Sequence, residues 1–233
     1  MIPIRDTAPC NSRPLVTWGL MAICIIVFVA MQLMPDQLSY RLIYLYGMVP
    51  VRYSNPQWAA EFGLPFDGGL SFLTSLFLHG NWTHLIMNML FMWIFGDNVE
   101  DRMGRVPFLI FYLLCGLCAT FLQWYFDPGL AIPVVGASGA IAGVLAAYFF
   151  LYPLERVVVW VPILFLPIVI HVPAIAFLGV WIIFQLHSAT TAVLFEGATI
   201  DVAWWAHLGG FITGTILYRL FLRNEKTEKN ESY

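Results

Sequence analysis

An all-α polytopic membrane protein, a bundle of six transmembrane helices, is the architecture that three features of this 233-residue chain predict. Its residues are 60% hydrophobic and only 11% charged, with a mean hydropathy of +0.78, whereas a soluble domain is about half apolar and about a quarter charged. Several long stretches carry no charge at all, and the basic residues gather in the connections that would share one side of a bilayer. The same composition excludes disorder, and an excess of 14 Asp+Glu over 11 Lys+Arg argues against a nucleic-acid partner. Cys24, Cys115 and Cys118 lie inside apolar runs and Cys10 precedes the first, so neither a disulfide framework nor a zinc site is expected.

The spans follow in order. Leu15 to Met34 carries no charge and is long enough to cross ~30 Å of hydrocarbon at ~1.5 Å per residue. No small-x-small cleavage site separates it from Pro35-Asp36, so it reads as a retained span rather than a signal peptide. The second span fills about 83 to 101 and ends in the charged turn Asp97, Glu100, Asp101, Arg102; Val106 to Phe126 is the third. Ala137 to Tyr152 is the fourth, stopping at Pro153. Pro162, Pro167 and Pro173 crowd the next apolar run. Proline suits the first turn of a helix and breaks its interior, so the fifth helix is expected to begin near Pro173, with 157 to 170 as an apolar connector at the membrane face. Trp204 to Leu222 is the sixth.

Six spans put both termini on one side. Arg5, Arg13, Arg102, Arg105, Arg156, Arg219, Arg223, Lys226 and Lys229 then share that side, against Arg41 and Arg52 opposite, which makes the termini cytoplasmic. Residues 1–14 are expected as a short cytoplasmic N-terminus, 15–222 as the transmembrane domain and 223–233 as a cytoplasmic tail. The loops at 35 to about 80 and 189 to 203 face out. No internal repeat is apparent, which counts against a transporter. Short tails without a targeting peptide point to a bacterial or archaeal cytoplasmic membrane, with an organellar membrane left open.

The fourth span is short. From Ser138 to Tyr152 it reaches about 22 Å against ~30 Å of hydrocarbon, so Ser138 stands at a recessed outer end. His207, on a helix entering from outside near Ala203, lies roughly 6 Å down. Gly136, Ala137, Gly139, Ala140 and Gly143 thin the fourth helix, and Gly209, Gly210 and Gly214 thin the sixth, which allows close approach in lipid. A histidine there can take the proton of a serine hydroxyl otherwise too weak as a nucleophile. Alone, Gly136 to Ala140 reads first as a packing face with an incidental serine. His84 and Asn88, at i and i+4, share one face of the second helix. They either bond neighbouring helices or, with the Ser138 amide, supply donors to an oxyanion.

Taken together these residues resemble the rhomboid family of intramembrane serine proteases. His79-Gly-Asn-Trp-Thr-His84-Leu-Ile-Met-Asn88 looks like its HxxxxHxxxN segment, Gly136-Ala137-Ser138-Gly139 like its GxSG motif, and Ala206-His207-Leu208-Gly209-Gly210 like its histidine motif. The resemblance covers roughly 15 to 222 and implies a six-helix rhomboid-like bundle without a cofactor or metal. It implies Ser138 as nucleophile, His207 as general base, and His84, Asn88 and the Ser138 amide as the oxyanion hole. His79, Gly136, Gly139 and Gly210 have supporting roles. No acidic residue lies within the sixth span, which favours a Ser-His dyad, while Asp201 in the preceding loop leaves a triad open. The implied substrates are transmembrane proteins in the lipid bilayer, with the 189–203 loop as a lid. Oligomeric state is not read from the sequence.

The resemblance departs at Ala142, where some bacterial members carry a tyrosine that stacks on the catalytic histidine; an aromatic from another helix is one candidate to replace it. Glu100 with Gly104-Arg105 looks like the family's tight turn and reads as structural. Cys115 and Cys118 read as packing, and His171 has no role. The competing readings are a catalytically silent rhomboid-like protein that binds membrane helices and, behind it, a histidine-lined transporter.

Overall fold

The structure is a computed structural model that describes residues 2–163, 166–194 and 203–223. It is mostly helical. Helix α1 (Leu15–Gln32) leads into four short helices, α2 (Asp36–Tyr46), α3 (Pro50–Ser54), α4 (Pro56–Glu61) and α5 (Leu70–Thr74), and a 3-10 turn at Ser75–Phe77. The long helices α6 (Trp82–Met103), α7 (Arg105–Phe126), α8 (Ser138–Leu151), α9 (Ala174–Leu194) and α10 (Trp204–Phe221) follow. Helices α1 and α7 are each long and apolar enough to cross a membrane, and α8 is a shorter apolar helix. Their outward faces carry Ile26 on α1, Val106 and Phe121 on α7, and Ile216 on α10, all exposed. Only a lipid environment covers that much apolar surface without cost, and the chain is an integral membrane protein.

Helix α8 is the axis of the molecule. Every residue from Gly139 to Tyr148 is buried, which the run of glycine and alanine permits because it leaves room for neighbours on all sides. At 14 residues it spans about 21 Å, as short as the sequence reading makes it. Helix α10 crosses it where Gly210 lies against the Gly139 carbonyl and Gly214 against Gly143. A methyl at Gly214 would stand 2.7 Å from Gly143 Cα, and one at Gly143 would stand 2.5 Å from the Cβ of Cys115 on α7. Cys115 is thus a packing residue.

One part of the all-α expectation is corrected. The segment read as a connector is a hairpin of β2 (Arg156–Ile163) and β3 (Leu166–Pro173). Strand β1 (Ile2–Asp6) adds to it antiparallel, pairing Asp6 with Val157 and Ile2 with Trp160, in the order β1-β2-β3. The reason is local chemistry: Val157, Val158, Val159, Val161, Ile168, Val169, Ile170 and Val172 are β-branched, and the prolines that forbid a helix are tolerated here. Pro162 pairs with Pro167 near the hairpin tip, beyond the reach of β1. Helix α9 begins at Ala174, directly after Pro173.

Two carboxylates, Glu100 buried and Asp67 half-buried, organise parts of the structure away from α8. Glu100 on α6 accepts hydrogen bonds from the N–H of Val16 (3.1 Å), the N–H of Thr17 (2.8 Å) and Thr17 Oγ1 (2.8 Å). It caps α1, whose first-turn N–H groups have no intrahelical acceptor. Gly104, at φ 84°, then turns the chain into α7. In the 35–80 segment the buried Arg52 pairs with Asp67 at 3.2 Å and also donates to the carbonyls of Leu45 and Pro65. Burial pushes the Asp67 carboxyl upward, yet hydrogen bonds from Tyr53 Oη, Gly69 N–H and Ser71 N–H, together with the Arg52 charge, hold it below the ordinary 3.8.

Glu100→Ala orphans the α1 cap and is expected to cost about 2 kcal/mol, read as a lower Tm in detergent. A carboxylate with a lowered pKa stabilises above its unfolded value and loses that contribution as pH falls through the folded one. Protease resistance of the 35–80 segment is therefore expected to be full at neutral pH and to fall below about pH 4, whereas Asp67→Asn is expected to be sensitive at pH 7 already.

Candidate active site

Helix α8 opens at Ser138, and the turn before it is held from the 35–80 segment: Gly136 N–H donates to Ser75 O at 2.9 Å, and Met48 and Val134 pair their backbones. Gly136 has φ 122°, in the region that favours glycine. Space demands glycine as well, since a Cβ there would lie 2.5 Å from His84 Nε2 and 3.6 Å from Asn88 Nδ2. Two polar atoms of α6 thus face the backbone two residues before Ser138. Asn81 sets the start of α6 by accepting from the His84 N–H at 2.8 Å. That fixes the helix phase that carries His84 and Asn88.

The first turn of α10 lies across the first turn of α8. A Cβ on Gly139 would come within 3.5 Å of Ala206 O and 2.6 Å of Ala119 Cβ. Gln123 on α7 accepts from the Ala206 N–H at 3.2 Å and so satisfies one of the free donors at the α10 terminus. Gly139 and Gly210 both lie at this crossing, where a side chain on either would meet the other helix. His207, one residue on, turns its Nδ1 to Gln185 Oε1 on α9 at 2.7 Å. Its Nε2 makes no hydrogen bond among the described residues, nor does Ser138 Oγ. The structure brings the two helix turns together without a direct Ser138–His207 hydrogen bond. An aromatic from another helix is present: the Trp181 ring lies 6.1 Å from the His207 ring at 35°, and Trp204 from α10 itself lies at 6.2 Å and 90°.

Polar satisfaction singles out this end of the molecule. Four buried side-chain nitrogen or oxygen atoms lack a partner among the described residues, and three of them are both ring nitrogens of His79 and Nδ2 of Asn88. His79 packs edge-on to His84 with ring centroids 5.1 Å apart. Native proteins leave few buried polar atoms unpaired, so a cluster of them marks a place where something else supplies the partners.

The lid reading is corrected at its start, because α9 continues to Leu194. Residues 195–202 of that loop, with Asp201, lie outside the described residues. Sequence reasoning missed Gln185, Gln123 and Asn81. Gln185 had a signal: between Ala174 and Leu186 no other side chain carries an amide, a hydroxyl or a charge.

Comparison with known proteins places these segments in one lineage. Relatives include Rhomboid protein 1, mitochondrial, of Saccharomyces cerevisiae, 32% identical over 161 residues, which are 66% of this chain and 42% of that protein. Rhomboid-like protein 11, chloroplastic, of Arabidopsis thaliana is 40% identical over 81 residues, 35% of this chain and 29% of that protein. Presenilin-associated rhomboid-like protein A, mitochondrial, of Danio rerio is 38% identical over 80 residues, 34% of this chain and 21% of that protein. The chain spans less than half the length of these relatives. The Rhomboid domain model matches residues 68–224, which take in His79, His84 of α6, the serine turn and the α10 histidine. On that match, which covers well over half of its length, the chain belongs to the rhomboid family.

Proposed function

We propose that this protein is an intramembrane serine endopeptidase that hydrolyses peptide bonds in or next to the transmembrane helices of other membrane proteins. The observation that carries the reading is the end of α8, where His84 Nε2 and Asn88 Nδ2 face the Gly136 backbone and the His207 turn lies on Gly139. Helices α1 and α6 to α10 are then six membrane spans, with both termini on the cytoplasmic side of a bacterial or archaeal membrane; the relatives named above are organellar.

In this mechanism Ser138 Oγ bonds to the scissile carbonyl carbon while its proton passes to His207 Nε2. The charge that develops on the carbonyl oxygen is met by Asn88 Nδ2, the His84 ring and the Ser138 N–H, which at the first position of α8 has no intrahelical acceptor. The carbon–nitrogen bond then breaks, His207 returns the proton to the leaving amine, and water hydrolyses the ester with the same base. Asn88 supports this role because its Nδ2 is buried and has no partner among the described residues, ready to bond an oxygen that arrives with the substrate. An intact substrate helix hides its carbonyls in hydrogen bonds, so small or helix-breaking residues are expected around the cut. No cofactor enters the scheme.

Proteoliposomes holding the protein and a panel of single-span membrane proteins test it. Cleavage is expected with wild type and not with Ser138→Ala or His207→Ala, and Asn88→Ala is expected to slow it roughly 100- to 1,000-fold. Helix binding by the wild type without any cleavage would favour the catalytically silent reading instead.

A further inference from the structure

We infer that Gln185 is the positioning residue for His207, holding the imidazole in the one tautomer that can act as a base; the inference rests on the dyad reading above. Gln185 lies on α9, is 5% exposed, and places Oε1 2.7 Å from His207 Nδ1. An amide oxygen accepts and never donates, so Nδ1 carries the ring proton and Nε2 keeps its lone pair. Only that form can take the Ser138 proton, because the opposite tautomer presents an N–H to the hydroxyl. The two indoles add a steric limit, Trp181 at 35° and Trp204 at 90° to the imidazole. Together the amide fixes which nitrogen is protonated and the rings restrict the plane.

The acceptor is neutral, which distinguishes this arrangement from a carboxylate-supported histidine. Among the described residues, His84 on α6 is the titratable group near enough to act electrostatically on His207. The elements packed on the imidazole contribute Gln185 and Trp181 from α9 and Trp204 from α10, none of them charged. When His207 takes the serine proton, the imidazolium is thus held by an amide dipole. The position also explains the departure at Ala142: a methyl there stacks on nothing, and α9 supplies both the acceptor and an aromatic wall. Burial gives Gln185 a second reason to be bound to a partner, since an amide in an apolar helix is costly unless paired.

The test uses the full chain in detergent, a fluorophosphonate as probe, and wild type, Gln185→Leu and Gln185→Glu. The probe phosphonylates Ser138, fluoride leaves and His207 takes the proton. Gln185→Leu is expected to react roughly 100-fold more slowly at its pH optimum with its Tm retained. Gln185→Glu, which still accepts from Nδ1, is expected to recover most of the rate. Its negative charge favours the imidazolium, so the acid limb of its pH profile is expected to move up by about one pH unit. Wild-type reactivity in Gln185→Leu, or a Glu variant as slow as the Leu variant with no shifted limb, overturns the proposal.

Nitrogen-15 spectra of His207 in the Ser138→Ala background read the tautomer with no need for activity. A proton on Nδ1 that is lost or shared with Nε2 in Gln185→Leu is the expected result, and an Nε2–H form with Gln185 present overturns it. A wild type that shows the Nδ1–H tautomer and yet never reacts with the probe contradicts the dyad reading rather than the positioning by Gln185.

Discussion

The contact on which the rest of the molecule depends is the backbone approach of α8 and α10, with Gly210 on the Gly139 carbonyl and Gly214 on Gly143. In lipid there is no hydrophobic gain from bringing two apolar helices together, because the surrounding tails are equally apolar. Association rests on close van der Waals packing, and that requires small residues at the crossing. The same requirement strips α8 of large side chains for most of its length, which lets α6, α7 and α10 surround it and leaves it entirely buried from Gly139 to Tyr148. The place where the two thin helices meet is also where Ser138 and His207 stand. Packing and chemistry are therefore set by one crossing.

Around that crossing the polar groups divide into two kinds. Most are answered: Glu100 caps α1, Arg52 is held by Asp67 and two carbonyls, Gln123 covers an α10 amide, and Thr120 donates to Gly116 O, while at the far end of α6 Asn98 Oδ1 has no partner among the described residues. Beside Gly136, Asn88 Nδ2 has no partner among the described residues, nor do the ring nitrogens of His79, which packs on His84. A buried unpaired nitrogen destabilises the free protein, and its retention at this one end fits a set of donors arranged for an incoming oxygen. The 35–80 segment holds this end in place, because the Ser75 carbonyl fixes Gly136 and the Met48 backbone fixes Val134. The β1-β2-β3 sheet does the corresponding work at the far end of α8, where Tyr148 donates to Asp6 of β1 and Thr7 to Glu155.

How much of this was legible in the sequence depended on whether the signal was local. Uncharged length marked α1 and α7, and proline grammar put the start of α9 at Pro173. The short fourth helix followed from Ser138 and Pro153 alone. The sheet was missed because its strongest cue, β-branched runs over Val157–Val159 and Ile168–Ile170, was read as membrane apolarity, and because β1 lies far away in the chain, where no local pattern announces its partner. The Arg52–Asp67 pair was equally hidden, as nothing in a segment with scattered charges says which pair is buried. At the site, it was the resemblance of three motif segments that singled out the candidate residues. Gln185 stood out as the lone amide of its apolar stretch, but that signal acquires a meaning only when a neighbour's Nδ1 is found beside it.

The central claim is that Ser138 is a nucleophile activated by His207 inside the helix bundle. It is tested most directly by mass spectrometry of the protein after exposure to a fluorophosphonate, comparing wild type, Ser138→Ala and His207→Ala, each checked for an intact fold by its Tm. The account predicts one covalent adduct, mapped to Ser138, in the wild type alone. An adduct on Ser138 that persists without His207, or no adduct on a folded wild type, would contradict it.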